Sequence, residues 1–397
     1  MQFGSGHLAY CTNIHPAESW EETFQALSTH ALQVRDRVFH CGLRIADCGL
    51  EEKKDAFALG LRLSARAARE LLEGENLADF KRWLDRENCY VFTINGFPYG
   101  DFHGTRVKEN VFKPDWTTEE RLDYTKQLFT ILAEILPEGV DGSVSTLPGS
   151  HKTFQADEAA IFARLEELAV FLDELSERSS RDLHLGLEPE PLGHFENTTE
   201  TLAFFERMKA ASPDPSRLLR RIGINFDTCH FALEYEFAAT SLDALVSAGL
   251  RISKIHLSSA LALDPRDAEA VRKIASFDEP VYFHQVIARG EDNRLRRYLD
   301  LPDALASLRT CEGSYAEEWR VHFHIPLDAE PAAPLRSTRQ QVRDVLAWRR
   351  DHPDTCTHYE IETYTWGVLP DDLQRPVVEQ IAGEYRWVLE DDLKSQI

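Results

Sequence analysis

From end to end, the chain alternates short apolar, β-rich runs with amphipathic helical stretches, joined by loops that carry His, Gly, Pro or acidic residues. The runs cover residues 7–12, 42–48, 90–95, 143–147, 184–188, 222–227, 252–257 and 358–363. Helices are expected over 20–38, 53–85 (Leu59, Leu63, Ala67 and Leu71 at helical spacing), 118–135, 157–175, 199–208 and 242–248, and 372–389 closes the chain. Asn197 or Thr198 can cap the helix at 199. Eight such runs predict parallel βα units, and their spacing of roughly 30–40 residues through the seventh suits a (β/α)8 TIM barrel. A doubly wound open sheet competes. It lacks its usual mark, because Cys11-Thr12-Asn13-Ile14-His15-Pro16 follows the first run where a Gly-rich fingerprint would stand.

Residues 258–353 exceed one βα unit and hold two further β-like runs, 281–287 and 320–326. The expectation is one barrel domain over residues 1–397, with 258–353 inserted between the seventh and eighth strands and packed over the mouth. A separate small domain is the alternative.

Charge narrows the partners. Lys+Arg 44 against Asp+Glu 67 gives a formal net charge of −23. A surface of that sign repels phosphate backbones and anionic lipid, so no nucleic-acid partner is expected. No run approaches the ~18 apolar residues needed to cross a bilayer, so no direct membrane insertion is expected. Residues 1–10 lack the basic region and apolar core of a secretory signal. Seven cysteines, Cys11, Cys41, Cys48, Cys89, Cys229, Cys311 and Cys356, are scattered with no CxxC pair. That pattern fits reduced thiols in the cytoplasm rather than a disulfide framework or a zinc knot.

In a (β/α)8 barrel, side chains at the carboxyl ends of the strands converge on one mouth. The fifth run ends in LEPEP (187–191), the sixth in FDTCH (226–230), the seventh in KIHLSS (254–259) and the eighth in IETYTW (361–366). Four successive strands thus end in carboxylate, carboxylate plus His, His, and carboxylate. An acid at the end of a buried strand is costly unless something positive meets it. A mixed O/O/N/O set invites a divalent cation such as Mn²⁺, Zn²⁺, Co²⁺ or Mg²⁺. Taken singly, each residue reads as a salt-bridge partner or a satisfied core histidine.

The order of these four strand ends resembles the xylose-isomerase-like TIM-barrel superfamily, which includes sugar isomerases, ketose 3-epimerases, inosose dehydratases and endonuclease IV-type repair enzymes. The resemblance implies Glu188, Asp227, His256 and Glu362 as metal ligands, and His230 beside the metal as a substrate contact. The stretches HLAYCTNIHPAESW (7–20), NGFPYGDFHG (95–104), VFKPDW (111–116), FHQV (283–286), HFHIPL (322–327) and ETYTWGVLP (362–370) look like the EboE family of metabolite traffic proteins. That resemblance implies a small-molecule metabolite and a prenyltransferase-like membrane partner encoded in the same gene cluster.

Further polar residues are candidate substrate contacts: Asn13 and His15 after the first run, His103 in the Gly-rich loop, Glu190, and His284 and His324 on the two extra runs. His322 and His324 lie two apart, so in a strand they share a face. Lys108 and Lys113 are candidates for a substrate anion, or simply solvated. The same alternation pairs Glu188 with Glu190 and Glu360 with Glu362. Glu188 is favoured by its place at the strand end and Glu362 by its match to the superfamily's last ligand, with each neighbour left as a ligand or a supporting partner.

The expected function is metal-dependent isomerisation or epimerisation of a polyhydroxylated metabolite, with Glu188 and Glu362 moving protons beside His230. The alternatives are a non-catalytic carrier delivering a precursor to a membrane partner and, against the net charge, a phosphodiester nuclease.

Overall fold

The computed structural model describes residues 1–40, 56–100, 108–309, 316–369 and 374–394. Eight parallel strands form the central sheet: β1 (Gly6–Tyr10), β2 (Phe57–Arg62), β3 (Cys89–Asn95), β4 (Gly142–Thr146), β5 (Leu183–Leu187), β6 (Ile222–Asp227), β7 (Ile252–Leu257) and β8 (His358–Ile361). Each of β2 to β7 pairs with the next in sequence, and β8 lies between β7 and β1. A parallel bridge from Cys11 to Gly60 joins the β1 and β2 edges and closes the sheet into a TIM barrel. The strands are apolar on both faces because one faces the barrel interior and the other a ring of helices. Phe226, Ile255 and Leu257, for example, are fully buried.

The second strand differs from the expectation. Residues 42–48 lie outside the described residues, and among the described residues the strand that follows β1 is Phe57–Arg62, within the stretch read as helix. All six of its residues are buried, so its apolar run carries no period-2 mark, and the spacing of Leu59 and Leu63 matched a helix by coincidence. Helix begins only at Ala65, capped by the Ser64 side chain, and a second helix covers Asn76–Arg86. Elsewhere the helix starts follow local capping chemistry. Ser19 and Glu22 form a reciprocal capping box ahead of Trp20, and the Asn197 side chain accepts from Glu200 N.

Between β7 and β8 the chain builds a second sheet of five antiparallel strands, Leu261–Leu263, Val286–Gly290, Leu295–Tyr298, Ala316–Val321 and Arg336–Ser337. Trp319, Val321, Phe323 and Ile325 belong to an apolar cluster distinct from that of the barrel. The chain then returns through helix Gln340–Asp351, which packs against Ala238–Ser247 and Val377–Lys394 and completes the helical ring ahead of β8. Among the described residues no helix is long and apolar enough to cross a membrane. Cys11, Cys89, Cys229 and Cys356 are buried free thiols.

Candidate metal centre at the barrel mouth

Glu188, Asp227, His256 and Glu362 each offer a ligand atom within 4.8 Å of the others, and all four are buried. His256 Nδ1 is the hub. It lies 3.1 Å from Glu362 Oε2, 3.2 Å from Glu188 Oε1 and 3.5 Å from Asp227 Oδ2.

Three of the four are held from behind. Asp227 ends β6 and caps the helix Thr228–Leu233: its Oδ1 accepts from Cys229 N at 2.7 Å, His230 N at 3.2 Å and Ser258 Oγ at 2.5 Å. Those donors occupy one oxygen, and Oδ2 is left buried with no hydrogen-bond partner. Glu362 Oε1 accepts from Asn13 Nδ2 at 2.8 Å and Asn95 Nδ2 at 2.9 Å, which turns Oε2 toward His256. On the far side of the His256 ring, Nε2 donates to Glu360 Oε2 at 2.9 Å, and the same oxygen accepts from Lys254 Nζ at 2.6 Å. Glu360 therefore stands behind the imidazole, fixing its tautomer and orientation as outer carboxylates do for metal-bound histidines.

Burial opposes charge on His256, but the carboxylates of Glu362 and Glu188 outweigh it and raise the imidazole well above its usual 6.5. Two carboxylates about 4 Å apart repel by about 4 kcal/mol at an effective dielectric of 20. One proton on His256 offsets only part of the repulsion among three of them. A divalent cation offsets more and takes up Asp227 Oδ2, so the residues present fit such an ion.

Above the ligands opens a cavity lined by Asn13, Asn95, Glu188, Glu190, His230, His322, His324 and Glu362, with walls that include Phe97, Phe112, Tyr282, Phe283 and Tyr364. Lys108 also lines it, ion-paired with Asp300. Burial, reinforced by Glu188, Asp227 and Glu362, pushes Glu190 up to about 8, against the pull of His230.

Three imidazoles form the remaining polar wall. His230 Nε2 lies 3.2 Å from His322 Nε2, which lies 3.1 Å from His324 Nε2. His230 Nδ1 donates to Pro189 O at 3.0 Å, His322 Nδ1 to Gln285 Oε1 at 2.7 Å, and His324 Nδ1 to Glu362 O at 3.1 Å.

Two of the expected histidine contacts, His15 and His284, stand elsewhere. His15 bonds Tyr10 and stacks on His30, and is not among the cavity-lining residues. His284 sits behind His322, its ring stacked on Phe323 and bonded to His322 O and Glu279 Oε1. His103 lies outside the described residues. Lys113 stands over the Phe154 ring, away from the cavity. Reading strand ends for charge missed Asn95 and Gln285. Asn95 carried a findable signal, as the last residue of the third strand; for Gln285 the signal was its place in the FHQV stretch.

No family model matches the chain, and no curated protein matches it. Among solved structures it is similar to an L-ribulose 3-epimerase (10% identity, 100% of this chain and 97% of that one, TM-score 0.49). It is also similar to the probable 3-DHS dehydratase AsbF involved in petrobactin synthesis from Bacillus anthracis (12% identity, 97% and 98%, 0.45). A third is the IOLI protein with a binding zinc atom (10% identity, 98% and 96%, 0.42). At these scores the likeness carries no argument, and the chemistry rests on the geometry of the site. The molecule is an α/β TIM barrel whose mouth gathers a buried carboxylate–imidazole centre.

Proposed function

We propose that the protein binds a divalent cation between Glu188, Asp227, His256 and Glu362 and isomerises or epimerises a small polyhydroxylated carbonyl compound. The carrying observation is the convergence of three buried carboxylates on His256 Nδ1 beneath a cavity walled by aromatic and polar side chains. The cation would supply Lewis acidity, drawing charge from a carbonyl and an adjacent hydroxyl oxygen.

The rest falls to the chain's own residues. Glu188 and Glu362 reach the cavity from β5 and β8, the strands that flank β6 and β7, and are placed to take a proton from one carbon and return it to another. Asn13 and Asn95 hold Glu362 Oε1 and so set the direction of its other oxygen. Glu190 lines the cavity and is placed to hydrogen-bond a substrate hydroxyl. Aromatic walls exclude water from the reacting carbon and pack against the apolar face of a sugar-like ring.

The six stretches that resemble the EboE family each contribute to this cavity, through Asn13, Asn95, Phe112, Gln285, His324 and Tyr364. An EboE-type metabolite role in the cytoplasm, with a prenyltransferase-like membrane partner, is part of the same proposal.

The test is solvent exchange. Metal-loaded protein is incubated in D2O with a panel of ketoses, aldoses and inososes, and carbon-bound deuterium is read by NMR. Incorporation next to the carbonyl is expected, and Glu188→Gln and Glu362→Gln should abolish it. Metal-replete protein that exchanges none of the panel overturns the reaction.

A further inference from the structure

At the end of the barrel opposite the mouth, a second set of ligating side chains comes together. Asp141 stands just before β4, His184 lies in β5 and His358 opens β8. His358 and Glu362 are four residues apart along the chain, about 13 Å in a strand, so this set is separate from the carboxylate centre. One ligand atom from each of the three lies within 4.8 Å of the other two. His184 Nε2 stands 3.0 Å from Asp141 Oδ2, and His358 Nε2 stands 3.3 Å from Asp141 Oδ1. Both rings are buried, while the Asp141 side chain is 26% exposed and opens the set to solvent.

Hydrogen bonding leaves the His358 ring unexplained. Its Nδ1 lies 2.7 Å from Ser143 Oγ, and that hydroxyl gives its own proton to Thr93 Oγ1 at 2.8 Å. Nδ1 therefore donates to Ser143, and in the neutral ring Nε2 is a lone pair facing a carboxylate oxygen. Two acceptors at 3.3 Å repel, and among the described residues His358 Nε2 has no hydrogen-bond partner. His184 Nδ1 is likewise buried without one, so nothing behind that ring fixes Nε2 as a donor. Asp141 is held by two further donors, Thr357 Oγ1 on Oδ1 at 3.2 Å and Arg251 Nη2 on Oδ2 at 3.1 Å. Arg251 also reaches Asp182 Oδ2 at 2.8 Å, so it keeps a carboxylate partner when Asp141 turns to an ion.

We propose that Asp141, His184 and His358 hold a zinc ion at the floor of the barrel. Donor atoms about 2.0–2.2 Å from zinc at near-tetrahedral angles stand roughly 3.3–3.5 Å apart, close to the two separations from Asp141. The ion takes up the His358 lone pair and draws on the other two side chains in the same act. Two imidazoles and a carboxylate favour Zn²⁺ over Mg²⁺ or Ca²⁺, which take oxygen sets, and the exposed side of Asp141 leaves a fourth position to water. In the sheet β8 pairs only with β1 and β7, so an ion on His358 links it across the floor to β4 and β5. Residues at this end of a TIM barrel serve stability rather than chemistry, and the site is accordingly structural. It is independent of the reading of the mouth.

Full-length protein is stripped with chelator and dialysed against Zn²⁺, and its zinc content is read by elemental analysis. Asp141→Asn and His358→Ala are each expected to hold one ion per chain fewer than the wild type, while Glu362→Gln keeps the floor ion. If the variants do not fold, anomalous diffraction at the zinc edge on the wild-type protein reads the same question. A peak between Asp141, His184 and His358 upholds the site whatever the mouth holds. Zinc content unchanged in the folded variants, or no peak at the floor at millimolar zinc, overturns it; His358 then carries a second proton and pairs with Asp141 as a buried ion pair. Zinc at the floor with none at the mouth upholds this inference and counts against the proposed function, and zinc at the mouth alone does the reverse.

Discussion

Gly60 is the position where one methyl group would reach furthest. It lies in β2 at the seam with β1, and a β-carbon there would stand 1.9 Å from Glu360 Oε1, 2.8 Å from Glu360 Cδ and 2.6 Å from Tyr10 O. Neither neighbour can give way cheaply. Tyr10 O is backbone at the strand end, and Glu360 is fully buried with its other oxygen on Lys254 and His256. Overpacking alone costs about 1–3 kcal/mol, and breaking a buried ion pair about 3–5 kcal/mol. Gly60→Ala is therefore expected to destabilise the fold by about 3 kcal/mol or more. With roughly 2.1 cal/mol/K of unfolding entropy per residue over 397 residues, that lowers Tm by about 4 °C or more. Releasing the partner behind His256 should also weaken metal binding by about 10–100-fold. Calorimetry on metal-free protein reads the first effect, and competition with a chromophoric chelator reads the second. Adding Glu360→Gln makes a double-mutant cycle, and the two costs should fall short of additive by about 1 kcal/mol or more. An unchanged Tm together with an unchanged metal affinity would refute the placement of Glu360 between Gly60 and His256.

Asp227→Asn and Glu362→Gln should each remove tight binding at the carboxylate centre while circular dichroism stays that of a folded barrel; unchanged occupancy of that centre in both variants refutes the ligand assignment. Glu384 is buried, and its Oε1 accepts from Thr363 Oγ1 at 2.6 Å and Leu327 N at 3.0 Å, with burial pushing the carboxyl up to about 8. Its folded pKa lies above the unfolded value, so the folded state holds the extra proton between about 4.5 and 8, and this contribution to stability is lost as pH rises through that window. Glu384→Gln mimics the protonated acid, so its Tm should exceed that of the wild type increasingly from pH 6 to pH 8, and a constant difference across that range refutes the assignment.

How much of this was legible in the sequence depends on whether the signal is local. Strand ends are local. LEPEP, FDTCH, KIHLSS and IETYTW each announce a polar side chain just where an apolar run stops, and a barrel of parallel strands delivers all such ends to one rim, whatever the details of packing. Strand ends alone therefore place Glu188 or Glu190, Asp227, His256 and Glu360 or Glu362 at the mouth as candidates, and the choice of Glu362 rested on a family resemblance. The β2 strand could not be placed this way, because a run buried on both faces has no periodicity to distinguish it from helix.

The partners across strands were also beyond reach. Glu360 and Glu362 share a face by alternation, yet one meets His256 Nε2 and the other Nδ1, a division set by the register between β7 and β8. Asn95 meets Glu362 across 267 residues of chain, and His230 meets His322 across 92. Contacts at that separation depend on barrel closure and on the path of the inserted segment. Which side chains stand at the mouth follows from residue order; which atoms of them touch follows only from the closed sheet.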